Sequence, residues 1–243
     1  MSTSSWVTDT RRWLRAVPVA ALLTMVYASS ASAILFTFTG TTGDPKHGTA
    51  LFTVNSSTSL TMVVTNTAGP GQLGVIGSVL DGIAFTFSAA PTSLTLTSVT
   101  AANGVVNLCS GPQCPPPALL GPLYGWAVGG SLSTPQVFAG GGSWHPGGII
   151  NDNVTPTDGI TNAQHNPYLD GPVTFQFTVA GWAGLPTLPT ITTATGYFGT
   201  AGVNVVGTST DTSVVIPEPT TLLLLGSGLF GLPLLRRRRG QRG

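Results

Sequence analysis

The residues best suited to metal chemistry lie between positions 151 and 170, where half of the aspartates outside the two chain ends are found. Asp152, Asp158 and Asp170 could offer carboxylate oxygens from a loop, the kind of ligand that Ca²⁺ accepts in flexible six- to eight-fold coordination. The spacing does not fit an EF-hand, because no glutamate stands at its twelfth position. Asp and Asn also form turns by bonding their own backbone, and turn formation is the interpretation that we favour over calcium binding. We expect no other cofactor.

A hydrolytic site has weaker support. Ser143, His145 and Asp158 could form a nucleophile–base–acid set, but Ser143 is not framed by a Gly-x-Ser-x-Gly elbow. The three histidines lack zinc-ligand spacing. Glycosidases use paired carboxylates that usually include glutamate, and the only glutamate is Glu218, near the C-terminus. The sequence therefore predicts a protein that is not an enzyme, with a secreted hydrolase as a remote alternative.

Aromatic residues in stretches rich in Gly and Pro provide a third type of candidate site. Trp126 and Trp144 could stack on sugar rings if they are exposed, so a secreted carbohydrate-binding module associated with exopolysaccharide is the alternative to a structural or binding protein of the cell surface or matrix. Three further aromatics belong to the same group: Tyr168, Trp182 and Tyr197. The alternative is that these side chains cover the ends of the hydrophobic core.

The C-terminal segment has three consecutive parts: Pro217, Glu218 and Pro219; an uncharged apolar run at 220–235; and Arg236, Arg237, Arg238 and Arg239. The prolines oppose regular structure at that point. The apolar run has 16 residues, about 24 Å as a helix, which is short for the ~30 Å bilayer core unless the arginines snorkel. It predicts one transmembrane helix whose arginines remain cytoplasmic.

This order of proline motif, transmembrane helix and arginine cluster resembles the PEP-CTERM sorting signal. The resemblance implies an exosortase as processing partner, an inner-membrane precursor, and a mature form on the cell surface or in the extracellular matrix, often beside exopolysaccharide. The alternative is an ordinary C-terminal anchor in the periplasm. Residues 36–40, 48–54 and 59–67 also resemble mature domains that carry this signal, which implies a jelly-roll-like sandwich.

The N-terminal segment predicts export. Arg11, Arg12 and Arg15 precede an apolar stretch at 16–26, and Ala31 and Ala33 frame a small-x-small cleavage site, so that the mature chain would begin at Ile34. The export machinery would be the general secretory route, with a twin-arginine route as the alternative. In an exported protein, Cys109 and Cys114 predict a local disulfide, and a metal-binding pair is the alternative.

The charge between the two targeting segments excludes one class of partner. Residues 34–216 contain a single lysine, Lys46, and six aspartates, a net charge of −5 with neutral histidines. This region has no basic surface for nucleic acid, so we expect no nucleic-acid partner. Its abundant Thr and Gly disfavour long helices, and Thr suits β-strands.

Apolar alternation and turn residues predict strand after strand. The expected strands cover 34–39, 49–54, 59–65, 75–80, 83–87, 93–100, 105–108, 124–128, 136–138, 173–179 and 196–207. A hairpin turn is expected at 55–58, a second turn at Asp81-Gly82, and long loops through most of 110–170. The fold class is all-β, a single antiparallel β-sandwich. The predicted organisation is a signal peptide at 1–33, the β domain at 34–211 and the sorting signal with its transmembrane helix at 212–243.

Overall fold

The computed structural model describes residues 31–40, 44–68, 76–109, 121–140, 147–151, 161, 165–199 and 203–210. They belong to a compact unit that spans Ala31–Val215. The described residues of this unit contain fourteen strands: β1 (Ser32–Gly40), β2 (Lys46–Ser56), β3 (Ser59–Asn66), β4 (Leu80–Phe87), β5 (Ser93–Ala101), β6 (Val105–Val106), β7 (Trp126–Gly130), β8 (Pro135–Ala139), β9 (Ile149–Ile150), β10 (Tyr168–Asp170), β11 (Val173–Ala180), β12 (Ile191–Phe198), β13 (Val203–Val206) and β14 (Thr208–Thr210). The all-β prediction is confirmed.

The strands form two sheets. The six-stranded sheet has the order β14-β1-β2-β3-β11-β5, and the eight-stranded sheet has the order β13-β12-β4-β9-β10-β6, with β8 paired to β4 and β7 paired to β8. Strands β9 and β10 are parallel, with Leu169 opposite Ile149. The other strand pairs of the described chain are antiparallel. The eight-stranded sheet is therefore mixed, which the sequence did not predict.

One buried cluster contains side chains from both sheets. The predicted alternation along β11 is confirmed, because Val173, Phe175, Phe177 and Val179 are buried while the residues between them are not. Successive strand residues point to opposite faces, so this pattern places four apolar side chains on one side of the sheet. The ring of Phe85 on β4 lies 4.9 Å from that of Phe52 on β2. Aromatic contact therefore joins the two sheets directly.

The region before β4 differs from its prediction. The hairpin between β2 and β3 is confirmed, with Val54 opposite Leu60. The strand predicted at 75–80 is wrong, because Ile76–Ser78 form a 3-10 turn. The turn predicted at Asp81-Gly82 is also wrong, because both residues belong to β4. Gly82 serves packing instead, since a Cβ there would overlap the ring of Phe138 on β8.

The strand predicted at 196–207 is wrong as a single element. Gly199 has a φ of +68° and ends β12, after which the chain returns as β13. Only glycine adopts that conformation at little cost. The amide of Gly207 then donates to Ala194 O at 2.9 Å, and the chain passes into the six-stranded sheet as β14 beside β1. Strands β9 and β10 were missed because two or three residues show no measurable periodicity.

Candidate functional site

Asp81 on β4 is a buried acid that no described residue pairs with a counter-charge. The pairing of β4 with β12 slips at this point, since Tyr197 lies opposite Gly82 and Phe198 opposite Leu80. Asp81 is 4% exposed, and neither carboxylate oxygen has a hydrogen-bond partner in the described chain. Burial raises the pKa of Asp81 well above its usual value, because a charge without polar partners is strongly disfavoured in an apolar interior.

Gly148 and Tyr168 are the neighbours of this carboxyl group. A Cβ at Gly148 would overlap Oδ1 of Asp81, so the glycine makes the space that the carboxyl group occupies. Tyr168 follows on the next strand, β10, and is fully buried with Val79 and Ile150 in a second small cluster. Burial, and secondly the charge of Asp81, raise the pKa of Tyr168. The arrangement can hold a proton on Asp81, whereas Tyr168 stays neutral.

Asn66 lies at the end of β3 and links the two sheets. Its Nδ2 donates to Ser78 O at 2.8 Å and to Ile149 O at 3.0 Å. Its Oδ1 accepts the amide of Ala68 at 3.1 Å. Asn66 is 2% exposed, and Ile149 belongs to β9 of the opposite sheet. This side chain therefore connects β3, the 3-10 turn and β9 through fully buried bonds.

The prediction that Trp126 stacks on a ligand is wrong. Trp126 is 2% exposed, its Nε1 donates to Gly147 O at 2.9 Å, and its ring packs edge-to-face on Phe175 with centroids 4.8 Å apart. Tyr168 and Trp182 are buried as well, and Tyr197 is half-buried against Phe138. The first of these aromatics begins β7, Tyr168 lies in β10 and Tyr197 in β12, so they are strand residues packed into the sheets and not exposed loop aromatics. Trp144 lies outside the described residues.

The predicted calcium ligands are only partly described. Asp170 ends β10 and is half-buried, whereas Asp152 and Asp158 lie outside the described residues, as do Ser143 and His145. Within the described ranges, no group of three or more His, Cys, Asp or Glu residues could hold a metal ion. The calcium site and the hydrolase alternative therefore both stay untested.

The predicted disulfide is also only partly described. Cys109 follows β6 and is half-buried. Because Cys114 lies outside the described residues, the disulfide stays a prediction.

The first and last described strands leave the domain at one edge. Ala33 and Ile34, between which signal-peptide cleavage is predicted, lie in β1 opposite Thr53 and Phe52. Thr210, the last residue of β14, lies opposite Leu35 in the antiparallel pair β1–β14. The segments that precede β1 and follow β14 are therefore attached at the same end of the six-stranded sheet.

No described helix has the length and apolar character needed to span a membrane, and the predicted transmembrane helix lies outside the described residues.

Asp81 and Asn66 escaped the sequence analysis. The pair Asp81-Gly82 has the composition of a turn, and only its position inside a run of apolar residues could have suggested a buried strand. Asn66 directly follows the strand expected at 59–65, a place where an Asn commonly begins a turn. Sequence patterns missed both residues because segments distant in sequence enclose their polar side chains.

Comparison with known proteins identifies the C-terminal segment. Residues 215–239 match the family model of the PEP-CTERM protein-sorting motif. They include Pro217, Glu218 and Pro219 together with Arg236, Arg237, Arg238 and Arg239. No curated protein and no solved structure matches the chain. The match supports export, a membrane-anchored precursor and an exosortase as the processing partner.

Proposed function

We propose that this chain is a surface or matrix protein whose β domain is released by exosortase processing at Pro217, Glu218 and Pro219. The match of residues 215–239 to the sorting motif carries the proposal. In the proposed precursor, the helix at 220–235 spans the inner membrane and Arg236–Arg239 stay on its cytoplasmic side. The signal peptide is removed after Ala33.

The β domain at 34–211 acts in this proposal as a single jelly-roll-like sandwich with a structural or binding role and no catalytic one. The buried cluster shared by the two sheets supports the sandwich. The low share of charged side chains in residues 34–216 fits a surface of neutral hydroxyl and amide groups. A role in binding exopolysaccharide would depend on Trp144, because Trp126 is buried.

The attachment of both flanking segments at one edge of the domain also fits this proposal. Before processing, a signal peptide and a transmembrane helix would hold β1 and β14, which are neighbours in the six-stranded sheet. Six residues separate Thr210 from Pro217, and an extended chain of that length spans about 20 Å. Because Pro219 directly precedes the proposed helix at 220–235, the proline motif would lie close to the membrane surface, within reach of a membrane-embedded enzyme.

The test compares the protein in its own host with and without the exosortase. Intact mass and cell fractionation should show a form that ends near Pro217 outside the inner membrane only when the enzyme is present. Glu218→Ala should leave the precursor unprocessed, whereas Asp211→Ala, an acidic control outside the motif, should be processed normally. A full-length chain in the inner membrane of both strains would refute the proposal.

A further inference from the structure

We propose that Asp81 is a neutral carboxylic acid in the folded domain and acts as a pH-sensitive latch. When it is protonated, the junction of β4, β9 and β10 is closed, and its ionisation weakens that junction. This inference does not depend on the sorting mechanism.

The geometry of the junction supports this protonation state. Asp81 is 4% exposed, and both of its oxygens are enclosed without a hydrogen-bond partner among the described residues. The space that its carboxyl group fills exists because Gly148, the residue just before β9, has no side chain. An enclosed carboxylate without a donor or a cation is much less stable than the neutral acid, so the group retains its proton.

Among the described residues, no group that faces Asp81 reverses this conclusion. Gly148, Ile149 and Ile150 on the β9 side carry no titratable group, and on β10 the facing titratable group is Tyr168, which cannot supply positive charge. Asp170 follows two residues later on the same side of β10 and is another acid. Lys46, the single lysine of residues 34–216, donates to Asp44 O at 2.8 Å.

The sign of the pH dependence follows from linkage. An acid whose pKa is higher in the folded than in the unfolded chain contributes its full stability below the unfolded value, about 3.9. That contribution is lost as the pH rises from there towards the folded pKa. In this window the folding equilibrium constant should fall about tenfold for each pH unit. Domain stability should therefore be greatest in mild acid.

Trp126 provides a local reporter of the latch. Its Nε1 donates to the carbonyl of Gly147, the residue next to Gly148. The amide of Gly147 in turn donates to Pro167 O at 2.6 Å, beside Tyr168. If ionisation of Asp81 displaces Gly148, the Trp126 indole N–H should lose its hydrogen bond before the domain unfolds.

The experiment measures urea unfolding of the full chain in detergent between pH 4 and 8. Up to the folded pKa of Asp81, the folding equilibrium constant of the wild type should fall about tenfold per pH unit, whereas that of Asp81→Asn should depend less on pH and exceed the wild-type value at pH 7. Asp44→Asn, which makes the same change at a half-buried acid outside β4, β9 and β10, is the control and should keep the wild-type slope. Equal slopes in wild type and Asp81→Asn would overturn the proposal.

Two further measurements do not depend on folding of the variant. The ¹³C signal of the Asp81 carboxyl group in the wild type should titrate well above pH 4, and the Trp126 indole signal should shift in the same pH range. Titration of that carboxyl group near pH 4 would overturn the proposal. The last experiment repeats urea unfolding at pH 7 with added Ca²⁺. If Ca²⁺ stabilised the wild type but not Asp81→Asn, Asp81 would be a charged cation ligand and not a neutral acid, which would overturn the proposal.

Discussion

Replacement of Asn66 by alanine should be among the most destabilising polar substitutions in the domain. The change removes two donors and one acceptor, and it leaves Ser78 O, Ile149 O and the amide of Ala68 without these partners in a buried place. Each such bond contributes about 0.5–1.5 kcal/mol, and a buried group left unpaired costs about 1–3 kcal/mol. We expect a combined loss of about 3 kcal/mol. That is a large fraction of the ~5–15 kcal/mol that stabilises a typical domain.

Asn151→Ala is the matched control. Asn151 is half-buried and makes one amide bond, to Ala68 O at 2.7 Å, so its loss should be about 1 kcal/mol. Asn66→Asp is a near-isosteric variant that sets carboxylate oxygens against the carbonyls of Ser78 and Ile149, and it should be at least as harmful as alanine at neutral pH.

Equilibrium unfolding in urea tests this prediction. With a slope of about 2 kcal/mol per molar, a loss of 3 kcal/mol lowers the midpoint by about 1.5 M while the slope stays unchanged. The reasoning would be refuted if Asn66→Ala moved the midpoint no further than Asn151→Ala. In that case the bonds between β3 and β9 would not contribute to holding the two sheets together.

Two other substitutions test the packing around the junction. Gly148→Ala should destabilise the domain by about 2 kcal/mol, since the new methyl group would overlap Asp81 and Val79. The control is Gly129→Ala, which should change the unfolding midpoint little, because a Cβ at Gly129 meets no other atom. Trp126→Phe should lower the free energy of unfolding by about 2 kcal/mol, because it leaves Gly147 O without its donor and opens a gap against Phe175. Calorimetry would measure this loss. An unchanged melting temperature would show that the indole hydrogen bond is dispensable.

Local patterns predicted the longer strands well. Along β11, the alternation of Val173, Phe175, Phe177 and Val179 with polar residues predicts one buried face, and the structure has it. The β2–β3 hairpin was equally predictable, because two β-rich runs flank a short polar segment. In both cases the information lies within about ten residues of sequence. Neither pattern indicates which other strands lie alongside.

Burial of polar and amphipathic residues could not be predicted in the same way. Trp126 has the sequence surroundings of an exposed loop aromatic, yet Phe175 and Gly147, both distant in sequence, enclose it. Asp81 has the surroundings of a turn, yet β9 and β10 cover it. Whether a side chain is enclosed depends on which segments pack over it, and those segments are set by long-range pairing.

The sequence by itself determined the class of the domain and the identity of its C-terminal sorting motif, since strand periodicity and the order of prolines, apolar residues and arginines are local properties. Only the tertiary structure decided that β14 joins β1, that β9 and β10 run parallel, and that Asn66 and Asp81 meet the same short strand. Such contacts join residues as distant in sequence as Leu35 and Thr210. They are selected by the free energy of the whole packed domain, which no short window of sequence contains.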